Sequence, residues 1–530
     1  MIAKSTEGHR LLCLLCILGG PLLMAPPAGA GGFEYGLEGA ETVARAGANT
    51  AKVSGPEALY LNVAGISKEG GVKILIDANF ISAKMTANLY GNGEDSWGGV
   101  AGAAGAIPYV PVENMTDIYT AGFKMFPAPI AGITFPIPQF KKLTLGLAIL
   151  TPAALGSYQF PNTVQVDFGG STYTLPSPQR YDIIEEDVLF LWPTIAASYR
   201  LTEKLSLGAG FQWGIIHLVF KTAINNGTVS SPRSYMNDTI STLDAWDYFV
   251  PAGILGLSWS PMDRIEFGFG MRISDKINAK GKVTAVANPW GSDPIYSDDP
   301  TLTWMDVEPY RRPKGALSFS WPTTVLRFGI RYKHPKKNAP TVQGRSLYPW
   351  EAELFDLELD FFVEQNHVVD DMKIQIDGYI PYGREAGQAS PFKPESEGVV
   401  GSRRNWRDVI SVRLGGSVNL FKGMLTLNLG GFYESPTVYD EDTRLDYLDN
   451  ERFGVACGLQ GRFFSFPVRK NHIGIELSIS YAHFFFNKFS VREGKIRHIA
   501  FIGDTGTVVN NGDYEFAMDI LTAGIRLTIL

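Results

Sequence analysis

The most regular feature of the chain is an alternation of apolar residues with polar or small ones, and it is clearest between residues 189 and 220. Its second half has apolar side chains at every other position: Leu205, Leu207, Ala209, Phe211, Trp213 and Ile215. A period of two predicts a β-strand with one apolar face. Residues 189–200 alternate in the same way, and residues 201–204 between the two runs are short enough only for a hairpin turn. The apolar face carries no charge over roughly ten residues, which is the reach of a tilted strand across a bilayer. The pattern predicts a transmembrane β-hairpin.

The same alternation recurs from residue 72 to the end of the chain. It divides residues 71–530 into about fourteen strands joined by short turns at one rim and long polar connections at the other. The long connections are predicted around residues 91–117, 223–246, 278–313, 367–405 and 433–451. An even number of strands with one short and one long rim is typical of an outer-membrane barrel, and closure removes exposed strand edges. We therefore expect an all-β membrane protein, an antiparallel transmembrane β-barrel of about fourteen strands.

The first seventy residues differ from the rest. Lys4 and Arg10 precede a short apolar run, and Ala28-Gly29-Ala30 is a small-residue cleavage site, so residues 1–30 are predicted to be a secretory signal peptide. Residues 31–70 are rich in small residues and only mildly apolar. This composition predicts a hatch, or plug, inside the barrel lumen. Together these features predict a multi-pass protein of the bacterial outer membrane.

Composition and charge exclude several functions. The 530 residues carry a net charge of −7, and no basic stripe is present to neutralise phosphates, so no nucleic-acid partner is expected. The histidines have no metal-ligand spacing, and no serine lies beside a histidine in a recognisable nucleophile motif. We therefore expect no metal, no cofactor and no catalytic residues, and a protein that is not an enzyme. A barrel-embedded lipid hydrolase is retained as the alternative from a different class.

Charged residues recur on the strand faces opposite the apolar stripe. They are Glu266, Arg272, Arg327, Arg331, Asp356, Glu358, Asp360, Arg413, Arg462 and Glu476. Clustered carboxylates are compatible with acid–base chemistry, but mutually paired charges that hold a plug are the favoured interpretation, because arginine on the lipid face would cost a few kcal/mol. The acidic segment 440–449 could bind Ca²⁺, and an exposed acidic loop is the favoured alternative.

Two features point to a path for an apolar solute. Past Gly214 the inward positions become Ile216, Leu218 and Phe220, which predicts either an apolar pocket or packing against an inward-folded loop. Pro152 follows the predicted strand 143–150 and cannot donate to a β-ladder. It marks either a break in the wall, which could be an exit, or an ordinary strand end.

The order of these segments resembles the long-chain fatty acid and aromatic hydrocarbon outer-membrane transporter family (FadL/TodX type). Asn62-Val63-Ala64-Gly65 is similar to the family's hatch motif, with Val63 where the family has proline. Residues 147–160 (LAILTPAALGSYQF) and Asn405-Trp406-Arg407-Asp408 are also similar to family segments. The likeness covers nearly the whole mature chain.

The resemblance implies passive uptake of hydrophobic molecules, namely long-chain fatty acids or similar lipophilic compounds, with aromatic hydrocarbons as an alternative. It implies an interior apolar site and a lateral exit at a kink in the third strand, at Thr151, Pro152 and Ala153. Lys221 and Lys373 are the candidate carboxylate anchors, although Lys221 has the parity of the outer face. The implied partners are the hydrophobic solute, outer-membrane lipid and lipopolysaccharide, and the barrel assembly machinery, and the implied state is a monomer.

Overall fold

The computed structural model describes residues 34–529 with internal gaps. The gaps are residues 90–110, 115–124, 153–155, 169, 226–237, 288, 291–293, 297–313, 320–323, 336–340, 343–344, 347–352, 370, 382–388, 393–398, 469–470 and 498–507. The predicted signal peptide, residues 1–30, and Ala153 of the predicted exit lie outside the described residues.

Fourteen long strands form the wall of a barrel. In chain order they are β1 (Val72–Leu89), β2 (Phe126–Pro136), β3 (Leu143–Leu150), β4 (Glu185–Thr202), β5 (Leu205–Asn225), β6 (Asp238–Met262), β7 (Ile265–Ser274 and Ile277–Ala287), β8 (Lys314–Phe319 and Thr324–Pro335), β9 (Glu353–Glu364 and Asp371–Pro381), β10 (Val399–Arg403 and Val409–Leu420), β11 (Leu425–Glu434), β12 (Arg452–Val468), β13 (Asn471–Phe486) and β14 (Gly512–Ile529). Shorter strands are Val112–Glu113, Ser157–Gln159, Thr163–Phe168, Ser171–Pro176, Ile295–Tyr296, Thr341–Val342, Arg345–Ser346, Ala389–Phe392 and Phe489–Val491.

The wall closes on itself. Each long strand pairs antiparallel with its chain neighbours. β14 returns to pair with β1 from Val72–Ile529 to Leu89–Gly512. Apolar side chains on the outer face remain exposed, for example Phe211 at 41% and Trp213 at 48%. A belt of exposed apolar residues around a closed sheet is what a lipid-facing wall requires. The predicted closed barrel of fourteen antiparallel strands is confirmed.

The strands extend further toward the long-connection rim than the sequence pattern predicted. β5 and β6 are 21 and 25 residues long, and β7 to β10 each consist of two segments. The predicted connections at 223–246, 278–313 and 367–405 were therefore wrong in extent, since each contains strand residues. The reason is that backbone pairing continues above the apolar belt, where outward side chains are polar and no longer mark the strand.

Helical structure is short. Two α-helices, α1 (Ala40–Ala44) and α2 (Ala58–Leu61), lie in the N-terminal part of the chain. Single 3₁₀ turns occur at Gly55–Glu57, Val63–Ser67, Pro178–Tyr181, Phe421–Gly423 and Asp440–Asp442. Within the described part of the chain, no helix is both long and apolar enough to cross a membrane.

Residues 34–71, here called the N-terminal segment, pack against the inward faces of the wall. α1 contacts β12, β13 and β14, and the turn Val63–Ser67 contacts β4, β5 and β6. Nearly every side chain between residues 34 and 67 is buried. The segment thus occupies the interior of the barrel.

Candidate functional site

Buried ion pairs attach the N-terminal segment to the wall. The Arg45 guanidinium lies 2.7 Å from Asp356 and 3.2 Å from Glu358, and all three side chains are fully buried. The backbone N–H of Thr50 donates to Asp360 at 2.9 Å. A buried pair of this kind is costly to break, because removal of one partner leaves an uncompensated charge. These contacts fix one side of the N-terminal segment to β9.

Two further groups extend this network. The Lys52 ammonium lies 3.0 Å from both Glu41 and Asp356. Burial of Glu41 opposes its ionisation, but Lys52, Arg526 and Arg45 lower its pKa to about 2. The inward charges therefore neutralise one another and the N-terminal segment, which agrees with the interpretation of a wall of paired charges.

The predicted hatch motif, Asn62-Val63-Ala64-Gly65, lies between the backbone at Thr50 of the N-terminal segment and the backbone at Leu257 of β6. The Asn62 side chain accepts from the N–H of Ala64 at 3.2 Å and donates to the carbonyls of Thr50 at 2.9 Å and Leu257 at 3.0 Å. One side chain therefore caps the turn that begins at Val63 and also joins the segment to β6. The side chains of Val63 and Ala64 are buried, as is Gly65.

Glycines on the wall allow this close approach. A Cβ at Gly208 of β5 would lie 2.6 Å from the backbone nitrogen of Ala64, and one at Gly256 of β6 would lie 2.7 Å from the same atom. A Cβ atom does not come this close to another heavy atom, so any side chain here would push the segment off the wall. The small residues at inward positions of the alternation therefore allow the N-terminal segment to pack directly on the backbone of the wall.

The wall is interrupted beside β3. The β2–β3 ladder ends at the pair Ala131–Ile149, and the β3–β4 ladder ends at Leu150–Trp192. Pairing with β4 resumes only at Ser157, opposite Asp187. Residues 126–130 of β2 pair with β1 but not with β3. Thr151 and Pro152 lie at this break with buried side chains, and neither is in a strand.

An aromatic ring lies across the break. A side chain at Gly156 would overlap the ring of Phe126, which shows that this ring packs directly against the Gly156 backbone. The Gly156 carbonyl in turn accepts from the N–H of Val188 at 2.5 Å. Phe126 is partly buried and packs against apolar interior residues. The Phe126 ring therefore lies at the break in this conformation.

Inward apolar side chains lie next to the break. Ile216 and Leu218 of β5 are both 1% exposed, and in register they lie opposite Phe190 and Val188 of β4. With Trp192 these residues form what we call the inner apolar patch. All five side chains are covered, so a solute reaches them only when neighbouring groups move. The patch is therefore closed in this conformation.

The patch continues in both directions. It belongs to one apolar cluster with Leu59, Leu61 and Val63 of the N-terminal segment, which thus forms its floor. Phe220 is partly buried and packs against this cluster. It also packs against a second apolar cluster, which includes Tyr158 and on which Phe126 packs as well. The predicted residues Ile216, Leu218 and Phe220 are thus brought together with the predicted break at Thr151 and Pro152.

Sequence reasoning missed the β4 half of the patch. Val188, Phe190 and Trp192 are inward-facing and apolar while Leu189 and Leu191 face outward, so this stretch is apolar on both faces, as β5 is past Gly214. The same signal could have identified them. The polar atoms here are also unusual: Trp192 Nε1 and Thr151 Oγ1 are buried without a hydrogen-bond partner among the described residues.

The structure does not bring either candidate anchor lysine to the inner apolar patch. Lys221 shares the outward face of β5, and its Nζ lies 3.4 Å from the Glu185 carboxylate. Lys373 is exposed on the second segment of β9, opposite Ser318 of β8.

The acidic segment 440–449 folds over the barrel mouth. Asp446 is bound by Arg404 at 2.5 Å, and the backbone carbonyl of Asp446 accepts from the Tyr158 hydroxyl at 2.7 Å. Asp442 and Asp449 are also buried. The expectation of an exposed acidic loop was therefore wrong for Asp442, Asp446 and Asp449, although Asp440 is exposed. The cause is charge pairing with residues far away in sequence, which a local pattern does not reveal.

Asp182 also contacts the acidic segment 440–449. Its carboxylate accepts from the N–H of Leu445 at 2.6 Å and lies 3.3 Å from Arg444. Burial raises the pKa of Asp182 to about 6, although Arg444 and the Leu445 amide act in the opposite direction. Burial therefore favours the protonated form of Asp182 at the contact between the 157–184 and 435–451 connections.

The chain is thus a closed barrel of fourteen antiparallel strands with a buried N-terminal segment and an interruption after its third strand. Solved structures confirm this fold. The chain resembles a Pseudomonas aeruginosa FadL homologue, with TM-score 0.62, 13% identity, and coverage of 94% of this chain and 99% of that one. It also resembles the Ralstonia pickettii toluene transporter TbuX, with TM-score 0.54, 13% identity, and coverage of 93% and 98%. The Pseudomonas putida toluene transporter TodX gives TM-score 0.53 at 13% identity, with coverage of 94% and 98%.

No protein-family model matches the sequence, and no curated protein matches it. At these identities the structural likeness establishes the fold, and the resemblance predicted from the sequence is confirmed at that level.

Proposed function

We propose that the protein is an outer-membrane channel for passive uptake of hydrophobic molecules. A solute enters from the rim with the long connections, occupies the inner apolar patch and leaves sideways through the break at Thr151 and Pro152. The observation that carries the proposal is the adjacency of the patch to the break: Trp192 belongs to the patch and pairs in register with Leu150, the last residue of β3.

A lateral exit fits the chemistry of the solute. An apolar molecule that leaves through the wall stays in contact with apolar groups and with lipid, whereas an axial exit would take it past the charged network around Arg45 and Asp356. Each Å² of apolar surface kept out of water is worth about 25 cal/mol, so the lateral route has the lower barrier.

Uncharged solutes are favoured over ionised fatty acids. Neither Lys221 nor Lys373 lies near the inner apolar patch, and the nearby Arg272 is paired with Glu34 at 2.8 Å. A carboxylate at the patch would therefore be buried without one of the predicted cations, which is strongly unfavourable. Trp192 Nε1 and Thr151 Oγ1 could instead bind one neutral polar group. The toluene transporters TbuX and TodX, named above for their fold, act on an uncharged aromatic hydrocarbon.

We propose a non-enzymatic role. A lipid hydrolase needs a serine activated by a histidine. His217, His367 and His483 contact aspartates, and His334 contacts Tyr332. No observation favours the hydrolase alternative. We further propose a monomer that is inserted by the barrel assembly machinery, with the N-terminal segment acting as a hatch.

Two variants test the channel. Pro152→Ala should restore ladder pairing beside the break and slow uptake of a radiolabelled apolar solute by cells, without loss of folded barrel. Deletion of residues 31–65 should increase leakage of small hydrophilic solutes from proteoliposomes. Unchanged uptake in the first experiment would discard the lateral exit, and unchanged leakage in the second would discard the hatch.

A further inference from the structure

Five lysines stand on the outer face of the wall, just above the apolar belt. They are Lys276, Lys280, Lys282, Lys314 and Lys373, here called the basic patch, and all are exposed. Lys280 pairs in register with Trp246, and Lys282 with Asp244. The upper segments of β7, β8 and β9 carry four of the lysines, and Lys276 lies in the bend just before the upper segment of β7. Strand spacing and rise place Lys280, Lys282 and Lys314 within roughly 10 Å of one another, and Lys276 roughly 20 Å from Lys282.

Aromatic residues mark the height of the patch relative to the membrane. Trp246, which is level with Lys280, stacks on Tyr248 with ring centroids 5.4 Å apart, and Trp213 packs edge-on against Phe249 at 5.2 Å. Tyr248 and Phe249 are 64% and 53% exposed. Exposed aromatic rings with a polar tip prefer the interface between acyl chains and head groups. The basic patch therefore lies at head-group height on the side of the long connections.

Four of the five lysines have no ion pair with a described residue, although Asp244, Asp247 and Asp275 lie beside the patch. Lys282 is the one member with an acidic neighbour in contact, Asp244 at 3.6 Å, and that carboxylate also binds His217 at 2.9 Å. The described residues provide no ion pair for the other four lysines. The Asp247 carboxylate, which lies close by, accepts the backbone amides of Phe249 and Asn278 at 3.0 and 2.7 Å.

Two of the lysines oppose each other directly. Lys314 lies in register with Lys282 on one side and with Asp377 on the other. Like charges directly opposite on a sheet are destabilising, so the Lys282–Lys314 pair favours an anion beside it. The lysine ammonium group binds phosphate strongly as a point charge.

We infer that the basic patch binds the phosphate groups of a phosphorylated glycolipid of the outer leaflet, while the acyl chains of that lipid pack on the aromatic band below. The inference rests on the membrane placement of the barrel and not on transport of a solute. It makes this face of the wall a specific lipid contact, and the remainder of the belt a nonspecific one.

The test uses the full-length mature protein in detergent, and its probes are lipid A and the same lipid A after enzymatic removal of its phosphates. Binding is measured by native mass spectrometry. The triple variant Lys280→Gln/Lys282→Gln/Lys314→Gln is compared with wild type. The matched control is Lys84→Gln/Lys488→Gln/Lys495→Gln, three exposed lysines elsewhere that are each paired with a glutamate at 3.1, 2.6 and 3.1 Å.

Wild type and the control should bind lipid A at least about tenfold more tightly than the dephosphorylated lipid, and the patch variant should lose that preference, since each basic residue near a charged lipid surface contributes about 1 kcal/mol. Equal binding of the two lipids by wild type, or an equal loss in the control variant, would overturn the inference. A Lys→Arg version of the triple variant, which keeps the charge, should retain the preference; its loss would also count against the inference. Correct folding is checked by the shift in gel mobility on heating. Because no solute is present, the result is independent of the proposed uptake function.

Discussion

Leu150 lies directly opposite Trp192 at the point where β3 stops pairing with β4. Above this pair β3 is interrupted, and the inward side chains of β4 and β5 are apolar. The relationship joins two features that lie far apart in sequence, a proline after a strand and an apolar run on two strands.

We expect Phe126 to set the width of the break, because its ring packs on Gly156. Phe126→Ala should remove the ring that packs on Gly156 and accelerate solute uptake, and Phe126→Trp should slow it. A barrier change of about 1.4 kcal/mol corresponds to about tenfold in rate. Initial uptake rates of a labelled hydrocarbon measure the effect. Phe135→Ala, on the outward face of the same strand, is the control and should leave the rate unchanged; a change of the same size there would remove the special role of Phe126.

Leu218 contributes to the inner apolar patch, and its neighbour Val219 faces outward. Leu218→Gln should weaken solute binding at least about fivefold, because an unpaired buried amide costs roughly 1–3 kcal/mol. Val219→Gln should leave binding near the wild-type value. Equilibrium binding of a fluorescent apolar ligand to the two purified variants distinguishes them. Similar affinities would show that the solute does not occupy this patch.

Arg45 holds the N-terminal segment to β9. Arg45→Ala should leave Asp356 and Glu358 buried with a partner missing and destabilise the attachment by about 3–5 kcal/mol. We expect higher single-channel conductance in planar bilayers and earlier proteolysis of the segment. Lys204→Ala, in an exposed turn, provides the control. Wild-type conductance for Arg45→Ala would indicate that the segment is held by its apolar contacts alone.

The contact between Asp182 and the segment around Leu445 should weaken as pH rises through about 6. The folded pKa of Asp182 is raised to about 6 from an ordinary 3.8, so the folded state binds this proton more tightly than the open state. Its contribution, about 3 kcal/mol, is fully present below pH 4 and is lost above pH 6. Hydrogen exchange of the Leu445 amide, corrected for the intrinsic rate, should show more protection at pH 5 than at pH 7.5.

Asp182→Asn should abolish most of this pH dependence, and Asp167→Asn, at an exposed strand position, should preserve it. If protection of the Leu445 amide rises with pH in the wild type, the sign of the Asp182 contribution is wrong.

The alternation of residue types was sufficient to predict the barrel and its fourteen strands, because lipid on one face and a polar interior on the other constrain every second residue. It also placed Ile216 and Leu218 on the inward face. It did not identify Val188, Phe190 and Trp192 as part of the patch. The outward residues of this stretch are apolar and were used to define the strand, and the inward residues are equally apolar.

Other features depend on contacts that no local pattern carries. Phe126 and Gly156 meet across an interrupted ladder, and their pairing follows from the register of β2 and β3 against their other neighbours. The burial of Asp446 follows from Arg404, which lies 42 residues away in sequence. Sequence alone gave no reason to bring these groups together, so the segment around Asp446 was expected to be exposed.

Photolabelling with an apolar diazirine solute tests the lateral path most directly. In proteoliposomes, we expect saturable labelling of Phe190, Leu218 and Phe126, which excess unlabelled solute prevents. Lipid-facing residues such as Phe211 should be labelled without saturation. Saturable labelling confined to the charged network around Arg45 and Asp356, or no saturable labelling at the break, would contradict it.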